Sequence, residues 1–113
     1  AWVSKLVTNP LGRMVVNKAR EHGVDVSRVV WTHEGRVGIY FHEQGATPRA
    51  SEVLYDRANS AVSTLVPGEI DWSFLNGCKL FHTSGITPAL SETCARATAE
   101  AIENARTAST LVN

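Results

Sequence analysis

An apolar strand followed within two residues by a clearly delimited helix is the feature that most limits how this chain can fold. Residues 2–7 read WVSKLV, and the helical pattern that follows covers about residues 10–22. Asn9 suits the N-cap, Pro10 suits the first helical position, and Gly23 suits the position just past the end. A strand, a short break and a helix predict the start of an alternating α/β fold. The apolar face of this predicted helix comprises Leu11, Met14, Val15 and Ala19.

The second half of the chain returns to the same alternation. Residues 79–83 form a continuous, mostly apolar run that is typical of a buried parallel strand. A long helix is predicted over about residues 89–106, and residues 110–112 are predicted to begin the next strand. The fold class is therefore predicted to be α/β. The predicted buried stripe of the long helix comprises Leu90, Cys94, Ala97, Ala101, Ile102 and Ala105.

Between these two halves, the sequence predicts a small antiparallel insert whose sheet has two chemically different faces. After a strand at 29–32, further strands are predicted at 36–42 and 51–57. Alternate side chains of a strand share a face, so pairing the last two strands places Tyr40 and Tyr55 together with Arg57. The opposite, apolar face is predicted to carry Ile39, Phe41 and Leu54.

Two segments could bind a small molecule, and spacing alone leaves an alternative open for each. Two tyrosine hydroxyls beside a guanidinium suit a ligand that combines hydroxyls with a carboxylate. The alternative is an ordinary solvated strand face, because strands favour tyrosine in any case. Residues 84–91, SGITPALS, follow a predicted parallel strand, where α/β sheets bind ligands. The alternative there is simply the start of a well-capped helix.

Composition and motif content exclude several classes of function. The 11 basic and 11 acidic residues give zero net charge without a basic run, so neither nucleic acid nor a membrane surface is a predicted partner. No apolar stretch approaches the roughly 20 residues of a membrane helix. Cys78 and Cys94 predict reduced thiols and a cytoplasmic location. The four histidines lack ligand spacing, so no metal site is predicted, and no catalytic motif is present.

Three strings, in this order and spacing, carry a resemblance to a known family. They are NPLGRMVVNKAREHGVDVS at 9–27, VLYDRANSAVSTL at 53–65 and LFHTSGITPALS at 80–91. With them the chain resembles the ribokinase-like (PfkB-type) carbohydrate kinases, in particular the 2-keto-3-deoxygluconate kinase branch. The resemblance implies part of a three-layer α/β/α domain with an inserted β lid. Residues 28–57 would form the lid, and residues 1–27 and 58–113 would belong to the α/β domain.

The same resemblance implies an ATP-dependent kinase that phosphorylates a keto-deoxy sugar acid. Its substrate-binding residues would be Tyr40, Tyr55, Arg57 and Ile86. The G-A-G-D motif, which in the family carries the general base and an anion hole, does not occur in this sequence. ATP and Mg²⁺ are therefore expected to bind segments absent from this chain, and no catalytic residue is predicted within it. The lack of an initiator methionine and the start in mid-strand are interpreted as marks of an internal fragment.

Related kinases pair lid to lid, so the resemblance also implies a homodimer that covers the apolar lid face. Two alternatives to a kinase are kept open. The first is a non-catalytic α/β module that binds a sugar acid or has a regulatory role. The second is a structural fragment whose sheet edge serves only assembly.

Overall fold

The elements alternate between strands and helices at both ends of the chain and form an antiparallel hairpin in the middle. The computed structural model describes all residues, 1–113. Two short 3-10 segments, Ala61–Thr64 and Trp72–Leu75, connect the hairpin to the second half. The strands and helices are β1 (Ser4–Val7), α1 (Pro10–Glu21), β2 (Val29–Thr32), β3 (Ile39–Glu43), β4 (Glu52–Asp56), β5 (Leu80–Phe81), α2 (Glu92–Thr107) and β6 (Leu111–Val112).

The strands form three two-stranded sheets, two of them parallel and one antiparallel. In the parallel pair β1–β2, Ser4 lies opposite Val29, and in the parallel pair β5–β6, Leu80 lies opposite Leu111. Strands β3 and β4 pair antiparallel and make up the separate middle sheet. Parallel pairs connected through helices, with one antiparallel insert, confirm the predicted α/β class.

Helix α1 begins as the sequence predicts but buries a different part of its surface. The Asn9 side chain accepts a hydrogen bond from the backbone N–H of Gly12 at 2.9 Å. The fully buried residues of the helix are Gly12 and Val16, whereas Leu11 and Met14 are 49% and 61% exposed. The predicted burial of the leading apolar residues is therefore wrong. The reason is a close approach to β1, which turns Gly12 inward, towards the backbone carbonyl of Val7.

The larger core lies between α2 and the segment that contains the two 3-10 turns. The buried residues of α2 recur at three- and four-residue spacing as predicted, and their small side chains allow close packing. Leu90 and Ile102, predicted in the same stripe, are only half-buried. This core comprises Cys94, Ala97, Ala101 and Ala105 of α2 together with Leu65, Ile70, Trp72 and Leu75. A smaller core joins Leu6, Val16 and Val29 beneath α1.

Strand β5 is shorter and more open than its apolar sequence predicts. Only Leu80 and Phe81 pair with β6, and Leu80 is 57% exposed, so the predicted burial of the whole 79–83 run is wrong. Phe81 is half-buried because it packs edge-on against Trp72, with ring centroids 6.0 Å apart. No helix in the structure has the length and apolar character required to span a membrane.

Replacing Ser91, the N-cap of α2, should destabilise the protein by about 1–2 kcal/mol. The Ser91 hydroxyl accepts from the backbone N–H of Cys94 at 3.1 Å and donates to the carbonyl of Ser63 at 2.7 Å. Ser91→Ala removes both bonds, whereas Ser91→Thr retains the hydroxyl and serves as the matched control. Urea denaturation of the two variants checks this expectation. Equal stability of both would show that the cap contributes nothing.

Candidate functional site

The middle sheet, here called the lid hairpin (residues 39–56), pairs its two tyrosines directly across the strands. Tyr40 lies opposite Tyr55 and Phe41 lies opposite Leu54. The two tyrosine rings have centroids 6.2 Å apart at an interplanar angle of 44°. Arg57 follows the end of β4, and its guanidinium carbon lies 4.5 Å from the centre of the Tyr55 ring. The alternation of side chains thus brings one guanidinium and two phenols together, as the spacing predicts.

A cavity of about 290 Å³ lies between the lid hairpin, β1 and the loop that follows β5. All four residues that the family resemblance implicates, Tyr40, Tyr55, Arg57 and Ile86, line this cavity. Ile86 reaches it from the loop after β5, and Tyr40, Tyr55 and Ile86 are each more than half exposed. Its apolar wall comprises Leu6, Val15, Val37, Val62 and Leu90. Ile39, predicted on the opposite face of the hairpin, also borders the cavity, at the end of β3 nearest the rest of the chain.

The charges around the cavity are all positive. Lys5, Arg36 and Arg57 line it, and no aspartate or glutamate does. Lys5 forms an ion pair with Glu69 at 2.6 Å, and Arg36 pairs with Asp56. Arg57, by contrast, forms no hydrogen bond or ion pair with the protein, so its five N–H donors are available to a ligand.

Arg36 connects the cavity to the end of the lid hairpin. Its guanidinium donates to both carboxylate oxygens of Asp56, to the Asp56 carbonyl at 2.6 Å, and to the Ala58 carbonyl at 3.4 Å. These bonds fix the backbone between Tyr55 and Arg57, and therefore the direction in which both side chains leave the strand. Sequence reasoning did not identify Arg36 or Lys5. One signal was available, since the alternation places Asp56 on the apolar face of β4, where a carboxylate requires a partner.

The remaining ionisable groups give no sign of a metal centre. No group of three or more histidine, cysteine, aspartate or glutamate side chains is arranged to hold a metal ion. The backbone N–H of Ser73 lowers the pKa of Asp71, which caps the second 3-10 segment away from the cavity. The chemistry that the cavity offers is therefore binding: one free cation, two phenol hydroxyls and an apolar wall.

Comparison with known proteins relates this arrangement to sugar kinases. The family model described as pfkB family carbohydrate kinase matches residues 1–113. The 2-dehydro-3-deoxygalactonokinase of Haloferax volcanii is 46% identical over 110 residues, which cover 97% of this chain. The 2-dehydro-3-deoxygluconokinase of Thermoproteus tenax is 33% identical over 105 residues, or 92% of this chain. The crystal structure of 2-dehydro-3-deoxygluconokinase from Thermotoga maritima superposes with a TM-score of 0.92 at 39% identity, over 97% of this chain.

The matched region is only part of each relative. The chain spans 34% of the Haloferax protein, 32% of the Thermoproteus protein and 34% of the Thermotoga chain.

Proposed function

The chain belongs to the pfkB family of carbohydrate kinases, and we propose that it forms the sugar-binding side of an ATP-dependent kinase for a 2-keto-3-deoxy sugar acid. The observation that carries the proposal is the free guanidinium of Arg57, which lies beside two tyrosines in a cavity without acidic residues. A carboxylate is the ligand group that such a site binds best, because it accepts paired, charge-assisted hydrogen bonds from a guanidinium. The named activities of the relatives from Haloferax and Thermoproteus agree with this choice.

Each residue of the cavity has a distinct role in this proposal. Arg57 binds the carboxylate of the sugar acid. The hydroxyls of Tyr40 and Tyr55, which bond to no protein group, form hydrogen bonds with oxygens of the ligand. Ile86 contributes apolar contact to the carbon chain, including the deoxygenated carbon. The lid role assigned to residues 28–57 is part of the same proposal, since the lid hairpin supplies both tyrosines.

ATP and Mg²⁺ are assigned to segments of the complete protein outside these residues. The cavity lining contains no carboxylate that could help to hold Mg²⁺. When bound, Mg²⁺ bridges phosphate oxygens of ATP and neutralises charge that develops during phosphoryl transfer. What this chain supplies is the orientation of the acceptor sugar. The proposed location is the cytoplasm, because Cys78 and Cys94 are both free thiols.

Release of ADP by the complete protein tests the proposed function. The assay compares 2-keto-3-deoxygluconate and 2-keto-3-deoxygalactonate with fructose, which lacks a carboxylate. Losing a hydrogen bond to a charged group corresponds to a roughly 10- to 100-fold lower kcat/KM for fructose. Equal use of fructose would contradict the assignment to sugar acids. Calorimetric binding of an acid without any ADP release would instead favour the non-catalytic binding module.

A lid-to-lid homodimer is the second part of the proposal. On the outer face of the lid hairpin, Phe41 and Leu54 lie directly opposite each other and are 59% and 66% exposed. Ile39 on the same strand is 42% exposed, so this apolar surface is not covered within one chain. A two-stranded sheet alone is marginally stable in water, and a second copy would cover its apolar face.

Phe41→Glu should convert the proposed dimer of the complete protein into a monomer. A charge placed in the apolar contact would be buried without a partner, which disfavours association strongly. The matched control is Val53→Glu, on the other face of the hairpin, which should leave the dimer intact. Light scattering after size-exclusion chromatography measures the mass of each variant. A parent protein that is monomeric at every concentration would refute the lid contact.

A further inference from the structure

Ser60 has a hydroxyl group that the folded chain leaves unused. The residue is 2% exposed, and its Oγ atom is the one buried side-chain polar atom in the structure without a hydrogen-bond partner. Ser60 is also among the residues that line the cavity of Tyr40, Tyr55 and Arg57. Buried polar groups are normally paired, so an unpaired hydroxyl at the wall of a binding cavity calls for a partner from outside the chain.

The usual local role of this serine does not account for its hydroxyl. Ser60 is the N-cap of the 3-10 segment Ala61–Thr64, a position at which a serine side chain commonly accepts a backbone N–H. The Ser60 side chain makes no such bond. Its carbonyl, in contrast, accepts from the Ser63 hydroxyl at 2.7 Å. The backbone of Ser60 is therefore engaged in the fold while the side-chain oxygen is not.

The surroundings of Ser60 hold it in place beside Arg57. The N–H of Ala61 donates to the carbonyl of Arg36 at 2.8 Å, which fixes the chain at this point. Gly38 lies across the gap, and a Cβ atom there would be 3.4 Å from the Ser60 Cβ and 3.2 Å from the Arg57 Cβ. The absence of a side chain at Gly38 keeps the space next to both residues free.

We propose that the Ser60 hydroxyl is a ligand-binding group of this cavity and forms a hydrogen bond with an oxygen of the bound sugar acid. The inference rests on the proposed function and adds a residue to its site. A hydroxyl is both donor and acceptor, so it can pair with a sugar hydroxyl or with a keto oxygen. Rotation about χ1 between staggered positions redirects Oγ without moving the backbone that is held on both sides.

Ser60→Ala in the complete protein separates this role from a structural one. The variant removes only the unpaired hydroxyl, so the melting temperature of the unliganded protein should be unchanged or higher. Binding of 2-keto-3-deoxygluconate or 2-keto-3-deoxygalactonate, measured by calorimetry without ATP, should weaken by roughly three- to tenfold. The KM for ATP should not change. Ser63→Ala is the matched control, because its hydroxyl is paired within the protein and lies outside the cavity lining.

The control should show the opposite pattern, a lower melting temperature with unchanged binding of the sugar acid. A lower melting temperature for Ser60→Ala, or failure of that variant to fold, would overturn the inference because the hydroxyl would then stabilise the fold. If the parent binds a sugar acid and Ser60→Ala binds it equally well, the inference fails alone. If the parent binds neither acid, the proposed function fails and this inference fails with it.

Discussion

Replacing Arg57 with alanine in the complete protein should raise the dissociation constant for a 2-keto-3-deoxy sugar acid by roughly 10- to 100-fold, the range expected when a hydrogen bond to a charged group is lost. The guanidinium stacks on Tyr55 and has no protein acceptor, so its donors are available to a ligand carboxylate. Because no partner inside the protein is lost, the melting temperature of the unliganded variant should change little. Calorimetry with the sugar acid and, separately, with ATP measures the two affinities.

Two control variants define what Arg57 contributes. Arg57→Lys keeps the positive charge but loses the paired donors, so its affinity for the acid should lie between those of the parent and Arg57→Ala. Arg49→Ala removes an arginine that is paired with Glu43 and lies outside the cavity lining, so acid binding should not change. Unchanged acid affinity in Arg57→Ala, together with a weaker affinity for ATP, would place Arg57 on the nucleotide side and contradict the assignment.

Gly12→Ala should lower the free energy of unfolding by about 2–3 kcal/mol, as expected for overpacking of a tightly packed contact. A Cβ atom at Gly12 would lie 2.1 Å from the carbonyl oxygen of Val7 and 3.3 Å from the Trp31 ring. The nearer atom belongs to the backbone of β1, so α1 has to move away from the strand to relieve the clash. Chemical denaturation of the complete protein measures the change.

Helix propensity alone predicts the opposite sign for this substitution, which makes the experiment decisive. Alanine is favoured over glycine inside a helix by about 0.5–1 kcal/mol. Asn17→Ala, at an exposed position of the same helix, should show a small gain from propensity and serves as the control. If Gly12→Ala is as stable as the parent or more stable, the close approach between α1 and β1 is not rigid.

The features that sequence predicts well are those that depend on local periodicity. The spacing of Cys94, Ala97 and Ala101 identified the buried stripe of α2, because a helix has a fixed period. The alternation in the lid hairpin likewise placed Tyr40 and Tyr55 on one face, because side chains of a strand alternate strictly. These predictions require no knowledge of distant parts of the chain.

The features that sequence did not predict depend on contacts between distant segments. The side of α1 that is buried follows from the position of the Val7 carbonyl relative to Gly12, which no helical period contains. The ion pair of Lys5 with Glu69 joins residues 64 positions apart. The unpaired hydroxyl of Ser60 becomes apparent only once every neighbour of that atom has been located.

A crystal structure of the complete protein with a 2-keto-3-deoxy sugar acid bound is the most direct test of the proposed site. We expect the ligand carboxylate within about 3 Å of the Arg57 guanidinium nitrogens, the distance of a charge-assisted hydrogen bond. Oxygens of the same ligand should lie within hydrogen-bonding distance of the Tyr40 and Tyr55 hydroxyls. A sugar acid bound elsewhere, or bound with its carboxylate away from Arg57 and that side chain left in solvent, would contradict the proposed site.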